Sequence, residues 1–401
     1  MTITEIRHIL ESPYDRKVWK NFLQTQFTNN KLNAEDRVIS LSDKTLSKQC
    51  LSLGNYELNE YTKIGIFEVE LNEKVNITRN RVALRNLIKD LTKQVAGAMV
   101  VFVQGDKWRF SYISKRKVKN KETNEIQEKE TAPKRYTYLF GKGEKALTAA
   151  QRFDKLIQKQ KGNFFDLLSL DDFEDAFSVE KLSKEFFDKY KEVYEDFVEF
   201  ITGKRYVKRG SKWTEITTHE AHFQLRNYFG GENKHARDFV KRMLGRIVFL
   251  YFIQKKGWLA VPKGKKWGEG NPDYLFELFD KAKYKESFYS DYLVPLFFDT
   301  LNNPGVQKDS NELRFPYLNG GLFDKSQDYR YDKIALPSEI FEKLFTTFNN
   351  YNFTIHEDAP DEHTVAVDPE MLGHIFENLL EDNKDKGAFY TPKEIVHYMC
   401  K

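Results

Sequence analysis

Along the first part of the chain, apolar and polar residues alternate in short runs. NYELNEY (Asn55 to Tyr61) and KIGIFEVEL (Lys63 to Leu71) carry the two-residue period of strands and read as a hairpin or a strand pair. RVALRNLIKDLTKQ changes period, and Val82, Leu84, Leu87, Ile88 and Leu91 fall on roughly one face of a helix. Gly97 ends that helix, and AMVVFVQ and KWRFSYISKR supply two more strands across a Gly-Asp turn. The order strand, strand, helix, strand, strand makes an α/β unit over residues 1–160, entered through a first stretch, residues 1 to about 50, that reads mainly as helix. Lys115 to Arg135 has no apolar period and reads as a charged excursion, either solvated or touching DNA.

Beyond about residue 165 the period is helical. SKEFFDKYKEVYEDFVEFI (Ser183 to Ile201) is amphipathic, with Ser183 a candidate cap. In ARDFVKRMLGRIVFLYFIQKKGW, Phe239, Val240, Met243, Leu244, Ile247, Val248 and Tyr251 follow helical spacing, and Leu250 and Phe252 extend the apolar surface to most sides. This is the expected central helix of a second, all-α region over residues 161–384. The fold class expected is therefore α+β, with a short final segment, 385–401, that begins something else.

Composition narrows this picture. A chain of 401 residues and 47.4 kDa calls for two or three compact units, and 40% hydrophobic residues supply real cores. With 64 Lys and Arg against 60 Asp and Glu, the net charge of +4 leaves nucleic-acid binding to local patches. Cys50 and Cys400 are too few for a disulfide framework or a zinc cage. The N-terminus lacks a signal-peptide apolar run, and the longest such run, IVFLYFI, is far short of a membrane span. The expectation is a protein of a reducing cytoplasm with no membrane partner.

Three stretches carry candidate chemistry. Glu68 and Glu70, two apart on one strand, share a face, and with Glu57 or Glu60 on the neighbouring strand they would form an acidic nest. Such a nest, with Glu57, Glu68 and Glu70 as ligands, suits Mg²⁺, which takes carboxylate oxygens and activates water for phosphodiester cleavage. An exposed carboxylate face is the plainer reading of the same residues. TGKRYVKRGSKW presents Lys204, Arg205, Lys208, Arg209 and Lys212 without an acid, with Tyr206 and Trp213 interleaved, and suits phosphate contacts or a solvated helix-to-loop junction. The Gly pairs of YFGGEN and PYLNGGLF fit no phosphate-binding loop and read as turns, and GNPDYL reads as a loop. At the end of the chain, Asp368 and Pro369 start one helix and a Thr391-x-x-Glu394 capping box with Pro392 starts another. Phe389 and Tyr390 precede its free N–H groups, an arrangement that suits an anionic, partly apolar ligand.

These residues carry resemblances. The acidic strand followed by a helix resembles the PD-(D/E)xK nuclease core, with Glu70 where that pattern usually has Lys. GAFYTPKEIVHYM resembles motif X of the gamma-class DNA adenine-N6 methyltransferases. VDPEMLGHIFENLL, PYLNGGLF and RMLGRIVFLYFIQKKGWL resemble the connector of Eco57I-like type IIG restriction–modification enzymes. The resemblance implies a nuclease-like domain at 1–160, a helical connector at 161–384 and the start of a methyltransferase domain at 385–401. It implies double-stranded DNA as partner, Mg²⁺ for cleavage and S-adenosylmethionine for methylation, with Phe389, Tyr390, Thr391 and Pro392 at one edge of the cofactor site. A non-catalytic DNA- or partner-binding module of a phage-defence methyltransferase is the rival expectation. The glycine-rich cofactor loop and the (N/D/S)PP(Y/F) motif are not found in these residues, so the expectation is a portion of a longer protein without methyl-transfer activity of its own.

Overall fold

The computed structural model describes residues 1–41, 45–77, 84, 87, 91, 95–114, 118–119, 126–127, 135–162, 167–177, 179–209, 212–307, 312–318, 321–325, 329–354, 362–364, 367 and 373. They form two compact units, one built on Met1–Leu182 and the other on Ser183–Asn349, with short later pieces of chain assigned to each. The capping box at Thr391 and the residues Phe389 to Pro392 lie outside the described residues.

The first unit opens with helices α1 (Ile3–Glu11) and α2 (Arg16–Gln26). Thr2 caps α1 in a capping box with Glu5, and the Asp15 carboxylate accepts the Lys17 and Val18 N–H groups to start α2. Strands β1 (Asn30–Val38), β2 (Ser47–Glu57) and β3 (Lys63–Leu71) run antiparallel in turn. The helical reading of the first fifty residues thus fails at β1. That strand, NKLNAEDRV, is an edge strand exposed along most of its length, so it shows no apolar alternation to read.

Strands β4 (Gly97–Gln104) and β5 (Lys107–Ser114) follow, with a two-residue ladder between β6 (Val118–Lys119) and β7 (Ile126–Gln127), and then β8 (Arg135–Gly141). β4 lies parallel to β3, so the chain between them crosses a face of the sheet. Leu84, Leu87 and Leu91 are helical there and buried with Phe67, Val69, Val100 and Phe102, as the periodicity predicts, whereas Val82 and Ile88 lie outside the described residues.

The other face of the sheet packs on α1, α2, α3 (Leu147–Gly162) and α4 (Leu170–Ala176). Trp19, Phe22, Trp108, Phe110 and Phe153 fill this core, and each side chain so buried contributes roughly 1.5–3 kcal/mol. The full sheet order is β1-β2-β3-β4-β5-β8-β13, closed at its far edge by the short parallel strand β13 (Glu362–Thr364). The unit is mixed α/β.

Helix α5 (Val179–Thr202) starts a turn earlier than Ser183, which is therefore within the helix and not its cap, and in the second unit it buries Phe186, Tyr190, Val193 and Phe197 at helical spacing. After Gly203 the chain forms an antiparallel hairpin, β9 (Lys204–Arg209) and β10 (Lys212–Thr217). The expectation of an all-α region is corrected here. KRYVKR and KWTEIT mix cations with Tyr, Val, Trp, Ile and Thr, which favour strands, and a ladder of six residue pairs joins the two.

Helix α6 (Phe223–Phe229) ends on Gly230, with φ at +64°, so the first Gly pair is the turn the sequence predicts. Helix α7 (Asn233–Lys255) is central, with Phe239, Met243, Arg246, Ile247 and Leu250 wholly buried. Two-residue strands β11 (Val261–Pro262) and β12 (Leu313–Arg314) pair, α8 (Tyr274–Asp280) and a π-helical stretch over 289–300 follow the loop after α7, and α9 (Ser338–Asn349) buries Phe341, Leu344, Phe345 and Phe348. Among the described residues, no helix is long and apolar enough to cross a membrane.

Candidate functional site

The sheet register places Glu68 in a row with Leu51, Val101, Phe110 and Tyr138 on β2, β4, β5 and β8. Glu68 is 5% exposed, a carboxylate set among apolar neighbours. A charge in that position needs compensation, because desolvating an unpaired carboxylate costs several kcal/mol, of order the stability of a domain.

The segment between α1 and α2 provides it. The Trp108 indole N–H donates to the Ser12 carbonyl at 3.0 Å, and the Tyr14 ring lies 5.4 Å from the Trp108 ring, centroid to centroid. Held there, the Tyr14 hydroxyl donates to Glu68 Oε2 at 2.7 Å. Arg16, the first residue of α2, donates from Nε to Oε2 at 2.7 Å and from Nη2 to Oε1 at 2.5 Å, the bidentate geometry of a strong guanidinium–carboxylate pair. The same guanidinium lies 3.7 Å from Asp36 Oδ2 on β1, and Lys20 on α2 holds Asp36 Oδ1 at 2.7 Å. Two carboxylates, two cations and a phenol thus form one neutral cluster. Burial, then the Glu68 charge, pushes the Tyr14 hydroxyl far above its ordinary pKa, and the bond to Glu68 raises that of Arg16. On β2, burial and the Glu68 charge push the Cys50 thiol up to about 12, which keeps it an inert thiol at neutral pH.

The other acids predicted with Glu68 are placed apart from it. Glu70 shares its face of β3, as the spacing predicts, but is exposed, with Lys48 at 3.6 Å. Glu57 is in register with Lys63 at the opposite end of β3, roughly 16 Å from Glu68 along the strand. Its carboxylate bonds Lys31 at 2.7 Å and Lys63 at 3.0 Å, and those two lysines hold it below the usual carboxylate range. Glu60 sits exposed in the β2–β3 turn. A cavity of about 640 Å³ opens beside that turn, lined by Leu58, Thr62, Leu168, Asp171 and Glu174 among others, and by none of the four predicted acids.

Among the described residues no three His, Cys, Asp or Glu side chains gather as a metal group. Mg²⁺ requires free carboxylate oxygens, and here both oxygens of Glu68 are taken by Arg16 and Tyr14. The arrangement as folded does not fit the ion.

The basic run of β9 is also engaged internally where its side chains are described. Arg205 bridges Asp196 at 2.6 Å and Glu199 at 2.8 Å, and Lys204 lies 3.6 Å from Glu215. Tyr206 carries the Arg237 guanidinium 4.5 Å above its ring. The side chains of Lys208, Arg209, Lys212 and Trp213 lie outside the described residues. Sequence reasoning missed Tyr14, Arg16, Lys20 and Asp36, since nothing in SPYDRKVWK or AEDR ties them to a glutamate 52 residues beyond Arg16.

No family model matches the chain, and no solved structure matches it. A protein of Methanocaldococcus jannaschii, provisionally named a type II restriction enzyme and methyltransferase, is 29% identical over 180 aligned residues, 41% of this chain. The match covers 14% of that protein, so the chain is similar to a small part of a restriction–modification protein's length.

Proposed function

We propose that this chain is a portion of a restriction–modification protein that acts on double-stranded DNA, and that its nuclease-like sheet holds DNA or a partner without cutting. The observation that carries the second half is the bidentate Arg16–Glu68 pair. A guanidinium occupies both oxygens of the carboxylate that would have to bind a metal. The likeness to the Methanocaldococcus jannaschii protein supports the first half. In the whole protein, methyl transfer would draw on S-adenosylmethionine, with Phe389, Tyr390, Thr391 and Pro392 as proposed contacts at one edge of its site.

One observation favours a second reading, a Mg²⁺-dependent endonuclease. Glu68 and Glu70 do share one face of β3, directly before a helical crossover and a parallel strand. In that reading Arg16 yields its place to the ion when DNA binds. The test is duplex DNA incubated with the chain and Mg²⁺, beside Glu68→Gln. The expected result is no cleavage by either protein. Cleavage by the parent that Glu68→Gln abolishes would overturn the binding-module reading and establish the nuclease.

A further inference from the structure

The loop that follows α7 in the second unit concentrates cations and indoles on a braced frame. KKGWLAVPKGKKWGEG, residues 255–270, holds Lys255, Lys256, Lys263, Lys265, Lys266, Trp258 and Trp267 against a single acid, Glu269. Gly257 has φ at +71°, and a Cβ on it would stand 2.2 Å from the Gly268 carbonyl oxygen, so only glycine permits the two strands of the loop to meet. The Gly257 carbonyl accepts the N–H groups of Gly268 at 3.0 Å and Gly270 at 2.9 Å, and the Leu259 carbonyl accepts Asn271 N–H at 2.9 Å. β11 adds its pairing to β12, and Lys263 N–H donates to the Glu312 carbonyl at 2.9 Å. Arg314 donates to the Lys265 carbonyl and lies 5.2 Å above the Trp267 ring.

On this frame Lys256, Lys263, Lys265 and Lys266 are exposed, and Trp267 is 43% exposed. Glu269 takes Lys265 at 3.6 Å, and Lys256 stands 3.7 Å over the Trp258 ring. The ammonium groups of Lys263 and Lys266 make no ion pair or hydrogen bond with any described residue. Lysine ammonium groups held on a rigid loop, with almost no acid among them, match the spacing-tolerant point charges that grip a phosphate backbone. Trp267 is engaged by Arg314 on its face and by Trp258 at 6.3 Å on its edge, which fits a ring packed against a backbone better than one inserted into lipid.

We infer that this loop is a docking surface for the phosphate backbone of duplex DNA, with Lys256, Lys263, Lys265 and Lys266 as the phosphate contacts and Trp267 beside them. The inference rests on the DNA-acting reading above but uses none of the residues around Glu68.

The test is fluorescence anisotropy of a labelled DNA duplex titrated with the full chain over a series of salt concentrations. The parent should bind with a steep salt dependence. K263E/K266E should lose at least about tenfold in affinity at low salt and show a log–log salt slope shallower by about two, one unit per phosphate contact removed. K184E/K281E makes the same change in net charge on exposed positions elsewhere and should retain most of the affinity. Because Lys263 and Lys266 meet described residues through their backbone N–H groups, which the substitutions keep, K263E/K266E should fold like the parent by circular dichroism. Equal loss in both double variants would overturn the surface, as would an unchanged K263E/K266E that leaves DNA binding itself intact. A parent chain that ignores duplex DNA overturns it as well, whether or not that chain binds vesicles of anionic phospholipid. Cleavage in the Glu68 assay bears on the acidic cluster alone, so the two readings fail separately.

Discussion

Arg16 decides what Glu68 can do. In water a guanidinium–carboxylate pair is worth little, but Glu68 keeps only 6% of its side-chain surface, and removal of its partner leaves a desolvated charge in an apolar row. Arg16→Met should therefore destabilise the first unit by about 2 kcal/mol, the usual cost of breaking a buried pair discounted because Arg16 itself is 40% exposed. Urea denaturation of the variant and the parent measures this. A variant as stable as the parent would show that Tyr14 alone satisfies the carboxylate. Sequence reasoning found Glu68 because a two-residue period fixes which face a strand residue takes. It could not find Arg16, because a contact across 52 residues depends on how a helix docks, which no local pattern records.

At the level of elements, the sequence reading agrees with the structure where an element is buried in the sheet or against it. β3, β4 and β5 and the helical positions Leu84, Leu87 and Leu91 follow their apolar periods. It departs from the structure at β1, an exposed edge, and at β9 and β10, whose sequences carry no regular apolar alternation. The Lys and Trp residues of the loop after α7 carry no local motif, and the close approach of Gly257 to Gly268 is what sets them on a braced frame. The start of α2 matters in the same way. Asp15 caps it through the Lys17 and Val18 N–H groups and so fixes the backbone of Arg16. Asp15→Ala should cost about 1 kcal/mol and speed amide exchange in the first turn of α2. Unchanged exchange at Lys17 and Val18 would show that Trp108 and Tyr14 hold this segment without the cap.

For the whole molecule, the direction of the shifted groups sets the pH range of stability. Lys343 beside Glu192, and Lys31 and Lys63 beside Glu57, hold these carboxyls below their ordinary 4.5. A depressed folded pKa contributes stability that is present above 4.5 and is lost as pH falls through the lowered value. Burial raises the Tyr14, Tyr190 and Tyr251 hydroxyls above their ordinary 10.0, so their contribution is full below pH 10.0 and is lost as pH rises toward the folded values. Thermal melts should give a plateau between about pH 5 and 9 that falls away on both sides. A melting temperature that holds constant well below pH 4 would show that these ion pairs add nothing to the folded state.

The Trp108–Ser12 hydrogen bond spans 96 residues, and its consequence is that the state of one carboxylate depends on distant parts of the unit. The segment that leads through Tyr14 into Arg16 rests on β5, and β5 is joined to β3 through β4, which lies parallel to β3. Contacts of that kind close long loops, and the packing of the folded unit offsets the entropy of closing them. The same three hydrogen bonds that occupy the acid therefore also tie the N-terminal segment to the sheet, and a change that loosens either one exposes the carboxylate.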